Sequence, residues 1–501
     1  MTTIHPSRPL PTDFSADDFW VLPTALPNAE ERLHQLTQAI YADLAVLNYP
    51  HKTWDYSRDH SILEVAILGA GHCGKSTAFG LRRNGIERVR IFDRRRSGEE
   101  GPWRSFARNA TLRTPKHVTG GLEWGIANLH FSRWCSARYG EDYWERIRYI
   151  PRLLWADYLD WYGKVLDLPI QNDTEIQNIT WHEEEQCFWL AAVHQGKADF
   201  YKARFLVFAT GMECAGGKNI PAIVRQNLPT HCYHHTMDEI DFQSVLGKRV
   251  VIVGGGSSAF DNALLASKAR AESVDIVVRR PALTNLNRIR WSEWNGYHRH
   301  YIDLPDEMKW AYSLAEFKLG QLPPSHTYYQ AVNQPNITLY TDAAINQLSY
   351  EQSDPVAGTE GLNGKIVGVY GDRTLSHNIM ICGTGFVTDL NLQPELKTLA
   401  PHVARWRDRY TPNPGDEQSE LSQYPYLGKS LEFTPKSPEH NYLKRCYYLC
   451  SGGALVSGFR AHLSGLQFAI PRVAYDIGKQ LFIEHKEDIW DSFNAYDVKE
   501  Y

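Results

Sequence analysis

Apolar runs alternate with helix-period stretches along most of this chain. From Glu64, "EVAILGAG" is an apolar strand closed by glycines, "CGKSTAFGLRRNG" a helix ending at Gly85, and "VRIFDRR" a second strand. Strand, helix and strand in that order make a βαβ unit. The pattern repeats from "KRVVIVGGG" through a helix to "SVDIVVRRP". "ARFLVFATG" and "HNIMICGTGF" read as buried strands ending in Gly211 and Gly385. "LLWADYLDWYGKVLDL" reads as an amphipathic helix, and "LSGLQFAIPRVAYDIGKQLF" as a helix with Pro471 in or near its first turns. Ahead of the first unit, "NAEERLHQLTQAIYADLAVL" offers a capping box, Asn28 with Glu31. Its Leu33, Leu36, Ile40, Leu44 and Leu47 share one helical face, which is expected to pack on the main body.

Composition changes this picture little. The chain has 501 residues, too many for one core, so two or three domains are expected. It is 43% hydrophobic and 22% charged, with a net charge of -5, which gives no reason to expect nucleic acid as a partner. No run of about 18 apolar residues suggests a membrane span. The N-terminus "MTTIHPSRPLPTDFSADDFW" lacks the apolar stretch of a signal peptide. A cytoplasmic location with free thiols is therefore expected for the eight cysteines, none of which form C-x-x-C. "CYYLC", Cys446 to Cys450, alternates like a buried strand. "EQSDPVAGTEG" and "RYTPNPGDEQSELSQ" are the most linker-like stretches.

Chemistry enters at the glycines. Gly69, Gly71 and Gly74 spell G-x-G-x-x-G between a strand and a helix. The first glycine makes a tight turn, the second lets backbone approach a pyrophosphate, and the third lets helix and strand pack closely. The helix N-terminus then offers free N–H groups to phosphate. Asp93 stands at the end of the next strand, 19 positions after Gly74, where an acid accepts from ribose hydroxyls. The second loop has Gly254 and Gly256, then Ser257, Ser258 and Ala259, the G-x-G-x-x-A variant. Its next strand ends in Arg279 and Arg280 rather than an acid, which suits a 2′-phosphate. Two loops of different preference predict two dinucleotides, FAD on the first and NADPH on the second, with hydride passing between them.

Several residues resemble the flavin-containing and Baeyer–Villiger monooxygenases, class B flavoprotein monooxygenases. The order of first loop, "FATG" (Phe208 to Gly211), second loop and "CGTGF" (Cys382 to Phe386) is similar to theirs. "GPW", with Trp103, resembles their segment near the flavin, and His235 lies 12 residues before Gly247, as their fingerprint histidine does. The likeness spans most of residues 62–480. Two positions depart: "PTHCYHH" has Pro229 and His231 for phenylalanine and glycine, and Arg113 stands where an asparagine helps hold the oxygenated flavin.

The resemblance implies an α/β fold with two Rossmann-like dinucleotide-binding domains, the NADPH domain (217–375) inserted in a discontinuous FAD domain (62–216 and 376–480). Residues 1–61 would form a helical extension and 481–501 a tail. It also implies an FAD monooxygenase in which NADPH reduces the flavin and a C4a-peroxyflavin passes one oxygen of O2 to nitrogen, sulfur or a ketone carbon of a small molecule. His235 and Arg113 are the candidate catalytic residues. Gly69, Gly71, Gly74, Asp93, Trp103, Gly211, Gly254, Gly256, Ser257, Ser258, Arg279, Arg280 and Gly385 are the candidate cofactor residues. "HCYHH" and "YHRHY" show no partner spacing for a metal. "IRWSEWNGYHRHY" could cover a cofactor or simply pack between domains. Three matters stay open: a reductase or oxidase that inserts no oxygen, a redox sensor of low turnover, and homo-oligomerisation.

Overall fold

A computed structural model describes residues 22–54, 59–212, 216–352, 364–450, 453–458 and 463–501. The first sheet is built on parallel strands, in the order Ile170–Gln171, Val89–Phe92, Ile62–Leu68 and Lys197–Phe208. Cys446–Tyr448 adds a further parallel strand against the end of Lys197–Phe208. These strands are apolar runs without alternation because both faces of a parallel sheet are covered. Val65, Ile67, Phe205, Val207 and Tyr447 are fully buried. Two antiparallel strands, Thr174–His182 and Cys187–His194, extend the sheet beyond Lys197–Phe208.

The second sheet is wholly parallel, in the order Tyr233–His235, Ile379–Cys382, Arg249–Val253, Ser273–Val277 and Ile337–Tyr340. A three-stranded antiparallel meander, Ile345–Gln352, Gly364–Tyr370 and Arg373–His377, lies beside it. The fold is thus α/β with two parallel sheets, each entered by a glycine loop and helix.

One expected boundary needs correction. The family pattern places residues 376–480 together in the first unit, but Ile379–Cys382 pairs with Arg249–Val253 in the second sheet. Its run of four buried residues is the same for either sheet, so pattern alone could not assign it. The chain returns after it, through Phe386–Thr388, which pairs antiparallel with Gly216–Lys218. The outgoing and returning segments therefore form a two-stranded ribbon.

The N-terminal helix Ala29–Val46 packs on Phe131–Tyr139. Arg32 reinforces that contact by donating to the carbonyls of Ser136 and Ala137 at 2.9 and 3.0 Å. Leu33, Ile40 and Leu44 are buried as the stripe requires, while Leu47 is exposed beyond the helix end. The capping box does not form: Asn28 occupies the N-cap without a side-chain hydrogen bond. The long helix Leu463–Glu484 packs on His72–Arg83 and keeps Pro471 well inside it, later than the first turns. Cys446–Tyr448 is the buried strand its alternation suggested. "RYTPNPGDEQSELSQ" is tied down, because Trp310 Nε1 donates to the Asp416 carbonyl at 2.9 Å. Most of "EQSDPVAGTEG" lies outside the described residues. Among the described residues, seven cysteines are free, and no helix is long and apolar enough to cross a membrane.

Candidate functional site

The first loop has a steric reason for each glycine. Gly69 has φ +102, and a Cβ there would meet the Ala209 carbonyl at 2.5 Å. A Cβ on Gly74 would lie 1.9 Å from the Gly69 carbonyl oxygen, so only glycine lets helix and loop meet. Gly71 differs: its nearest neighbour would be the Gly101 Cα, 3.8 Å away. The middle glycine therefore faces a groove whose far wall is the backbone of "GPW". Gly211 and Gly385 likewise have nothing within 4 Å of a built Cβ.

Asp93 is buried, and its two oxygens accept from Ala70 N–H at 2.7 Å and Arg95 N–H at 2.8 Å. Burial pushes its carboxyl up, against the pull of these N–H groups. The acid braces the loop and keeps further lone pairs for a ribose hydroxyl. A cleft of about 300 Å³ opens beside it, lined by Arg94, Arg95, Phe106, Lys218, Met237, Asp238 and Glu239.

"GAGHCGKS" also satisfies the phosphate-loop pattern G-x-x-x-x-G-K-S. The structure excludes that use. Lys75 is buried, donates to the Leu159 carbonyl at 3.2 Å and sits near Glu100 and Asp160, so its ammonium is already partnered by protein groups. His72 fills the start of the helix, buried and stacked on Trp155 with ring centroids 5.6 Å apart. Burial lowers its pKa to about 3, so it is neutral.

The second loop repeats this logic. A Cβ on Gly254, with φ +135, would meet the Gly383 carbonyl at 2.3 Å, while Gly256 is open to Gln321 at 3.9 Å. Ser257 donates its hydroxyl to the Leu322 carbonyl at 2.9 Å, and Ser258 is exposed. The two arginines part company. Arg280 donates to the Leu319 carbonyl at 2.5 Å, at the end of the helix Asp306–Leu319. Arg279 is exposed and free to meet a phosphate.

His235 is fully buried at the ribbon between the sheets. Its Nδ1 accepts from Met237 N–H at 3.2 Å, which leaves Nε2 to donate to the Gly385 carbonyl at 2.8 Å. Its own N–H donates to Asp238 at 2.7 Å. With both ring nitrogens engaged by backbone, it joins the outgoing and returning segments and is poorly placed to carry protons.

Arg113 lies on the strand Thr111–Pro115, which pairs with Tyr149–Pro151. It reaches Asp261 at 2.7 Å, one turn into the helix that the second loop opens. Asp261 is nearly fully buried and Arg113 is 41% exposed. Burial pushes the Asp261 carboxyl up, while Arg113 and Arg152 draw it down. Arg152 in turn donates to the Trp103 carbonyl, beside Gly101. Arg152 thus lies between the Trp103 backbone and Asp261, whose carboxyl its charge draws down. Arg290, from "IRWSEWNGYHRHY", donates to the Tyr149 hydroxyl at 3.0 Å. Asp261, Tyr149 and His326 escaped the sequence reading because their partners are more than a hundred positions away and no local spacing marks them.

Comparison with known proteins agrees with this architecture. A family model described as pyridine nucleotide-disulphide oxidoreductase matches residues 66–294. The chain is similar to an FAD-dependent urate hydroxylase from Xanthomonas campestris pv. campestris, 34% identical over 474 residues that span 94% of this chain and 97% of the relative. Among solved structures, the ornithine hydroxylase from Pseudomonas aeruginosa superposes with a TM-score of 0.64 at 14% identity, over 84% of this chain and 100% of that one. The ornithine N-hydroxylase from Kutzneria sp. 744, solved with reduced FAD, NADP+ and L-ornithine, gives 0.62 at 14% identity over the same shares. At such identities these two likenesses speak for the fold alone.

Proposed function

This chain belongs to the flavoprotein monooxygenase family, and on that premise we propose that it is an FAD- and NADPH-dependent hydroxylase of urate or a close oxopurine relative. The balanced reaction is NADPH, H+, O2 and substrate giving NADP+, water and a product one oxygen richer. When bound, the nicotinamide supplies the hydride and the flavin supplies oxygen activation.

The residues fit both groups. The groove between Gly71 and Gly101 would fill on adding a side chain, which suits a pyrophosphate at the N-terminus of His72–Arg83. Asp93 would accept from the adenosine ribose, and Trp103, Gly211 and Gly385 would border the flavin. Gly254, Gly256, Ser257 and Ser258 would surround the second pyrophosphate, and Arg279 would meet the 2′-phosphate. His235 and the half-buried Arg113–Asp261 pair would hold the two units in register, so that donor and acceptor rings meet in one orientation. Neutral His72 on Trp155 would keep water from the groove.

One observation carries the two-cofactor reading: the Arg113–Asp261 pair ties the strand Thr111–Pro115, which follows the first loop's βαβ unit, to the helix that the second loop opens. The 34% identical urate hydroxylase supports the substrate. The test is aerobic NADPH consumption by the FAD-loaded protein with urate, ornithine, lysine or no addition. Urate-stimulated consumption is expected. Equal rates without substrate would favour an oxidase, and stimulation by the amines alone would favour an N-hydroxylase.

A further inference from the structure

Three segments far apart in sequence meet around Tyr149. Its hydroxyl accepts from Arg290 at 3.0 Å, the Arg148 guanidinium lies 5.5 Å from its ring centroid, and the His326 ring lies 5.6 Å away. Tyr149 and His326 are buried, whereas Arg148 is exposed. Arg113, two residues before the strand partner Pro115, belongs to the same junction, since its charge and that of Arg148 both act on His326. The charges do not balance. Arg113, Arg148, Arg152 and Arg290 stand against two carboxylates, Asp261 and Glu293. His326, pushed down to about 4 chiefly by burial, adds no charge at neutral pH.

We infer that this junction is the seat of the substrate, an anionic, planar, carbonyl-rich heterocycle of the urate class. The inference rests on the substrate proposed above. Urate is a monoanion at neutral pH whose edges alternate carbonyl oxygens and ring nitrogens. Guanidinium is planar and offers paired N–H donors that match such an edge, and its charge strengthens each bond. The packed Tyr149 and His326 rings place aromatic groups in the same junction as the guanidinium groups, the kind of partner a flat ligand stacks on. The same surplus of positive charge repels the ammonium groups of ornithine or lysine. In the reading above the second dinucleotide's phosphates would sit at the N-terminus of Ser257–Lys268 and on Arg279, which leaves this junction for a second anion. Arg148 is the specificity residue, because its guanidinium has no hydrogen-bond partner among the described residues.

The test uses FAD-loaded full-length protein and two variants, Arg148→Ala and Arg290→Lys, checked for flavin content and circular dichroism. Urate dependence is measured at saturating NADPH, and flavin reduction by NADPH is measured without urate. Arg148→Ala should raise KM for urate about tenfold, the scale of one charge-assisted hydrogen bond. Arg290→Lys, which keeps the charge but loses the planar fork, should raise it less. Neither should slow flavin reduction. Unchanged KM for urate in both variants overturns the seat while leaving urate as substrate. A raised requirement for NADPH instead of urate reassigns the junction to the dinucleotide and also overturns it. Wild-type protein that neither binds nor oxidises urate overturns the substrate reading itself, and the seat with it.

Discussion

The Nη1 of Arg280 sits 2.5 Å from the carbonyl oxygen of Leu319 and closes the helix Asp306–Leu319. Gly320, with φ +75, lets the guanidinium in: a Cβ there would lie 2.4 Å from it. Arg280 is thus held by the fold, while Arg279 stays exposed and is the one proposed to meet the ligand, although the two were equivalent in sequence. Arg279→Ala should raise the NADPH needed for half-maximal flavin reduction about ten- to a hundredfold and leave NADH kinetics unchanged. Arg280→Ala should lower thermal stability by about 1–3 kcal/mol and affect both cofactors alike. Stopped-flow reduction with each cofactor, together with thermal unfolding, separates the two roles. NADPH selectivity lost through Arg280 alone would reverse the assignment.

The last and the middle glycine of the first loop should respond in opposite ways. Gly74→Ala places a methyl 1.9 Å from the Gly69 carbonyl, so the loop must deform and folded yield should fall. A Cβ at Gly71 meets no protein atom closer than the Gly101 Cα at 3.8 Å, so Gly71→Val should fold and yet lose flavin. Flavin absorbance per mole of protein and circular dichroism report both outcomes. A yellow Gly71→Val protein with full flavin would place the cofactor elsewhere.

This contrast also explains how much was legible in sequence. Gly69, Gly71 and Gly74 could be read because each demand of a strand–turn–helix loop falls within six residues. The buried strands Ile62–Leu68 and Arg249–Val253 could be read because a two-sided parallel strand is an unbroken apolar run. Ile379–Cys382 has that same run, so sequence could not say which sheet would take it. Arg113 was visible only as a departure from a family pattern. Its partner Asp261 is 148 positions away, and the burial that gives the pair its effect arises only when the two units pack. Asn28 and Glu31 had the spacing of a capping box, but the Asn28 side chain makes no cap bond.

The Arg113–Asp261 pair should give the protein a distinctive pH response. Because the folded carboxyl binds its proton more tightly than the unfolded one, its contribution to stability falls as pH rises through the interval between the two values. Removing Arg113 extends that interval upward. Arg113→Met should cost about 1–3 kcal/mol at neutral pH, less than a wholly buried pair because Arg113 is 41% exposed. The gap to wild type should narrow as the solution is acidified and Asp261 takes up a proton. Urea unfolding across a pH series measures this. A gap that is constant with pH would mean that Asp261 does not feel Arg113.

His235 should behave as a structural tie. His235→Phe keeps the ring but loses the bonds to Gly385 and Met237, and should destabilise by about 1–3 kcal/mol and slow flavin reduction. The shape of the pH–rate profile should stay that of wild type. Loss of one limb of that profile would make His235 a proton carrier.

The central claim is that two cofactors on two loops deliver one atom of dioxygen to the substrate. It is tested most directly by turnover of urate with NADPH under 18O2, followed by mass spectrometry of product and quantitation of NADPH and peroxide. One labelled oxygen in each product molecule, one NADPH consumed per product, and little hydrogen peroxide are expected. Product without label, or NADPH consumed with stoichiometric peroxide and no product, would contradict it.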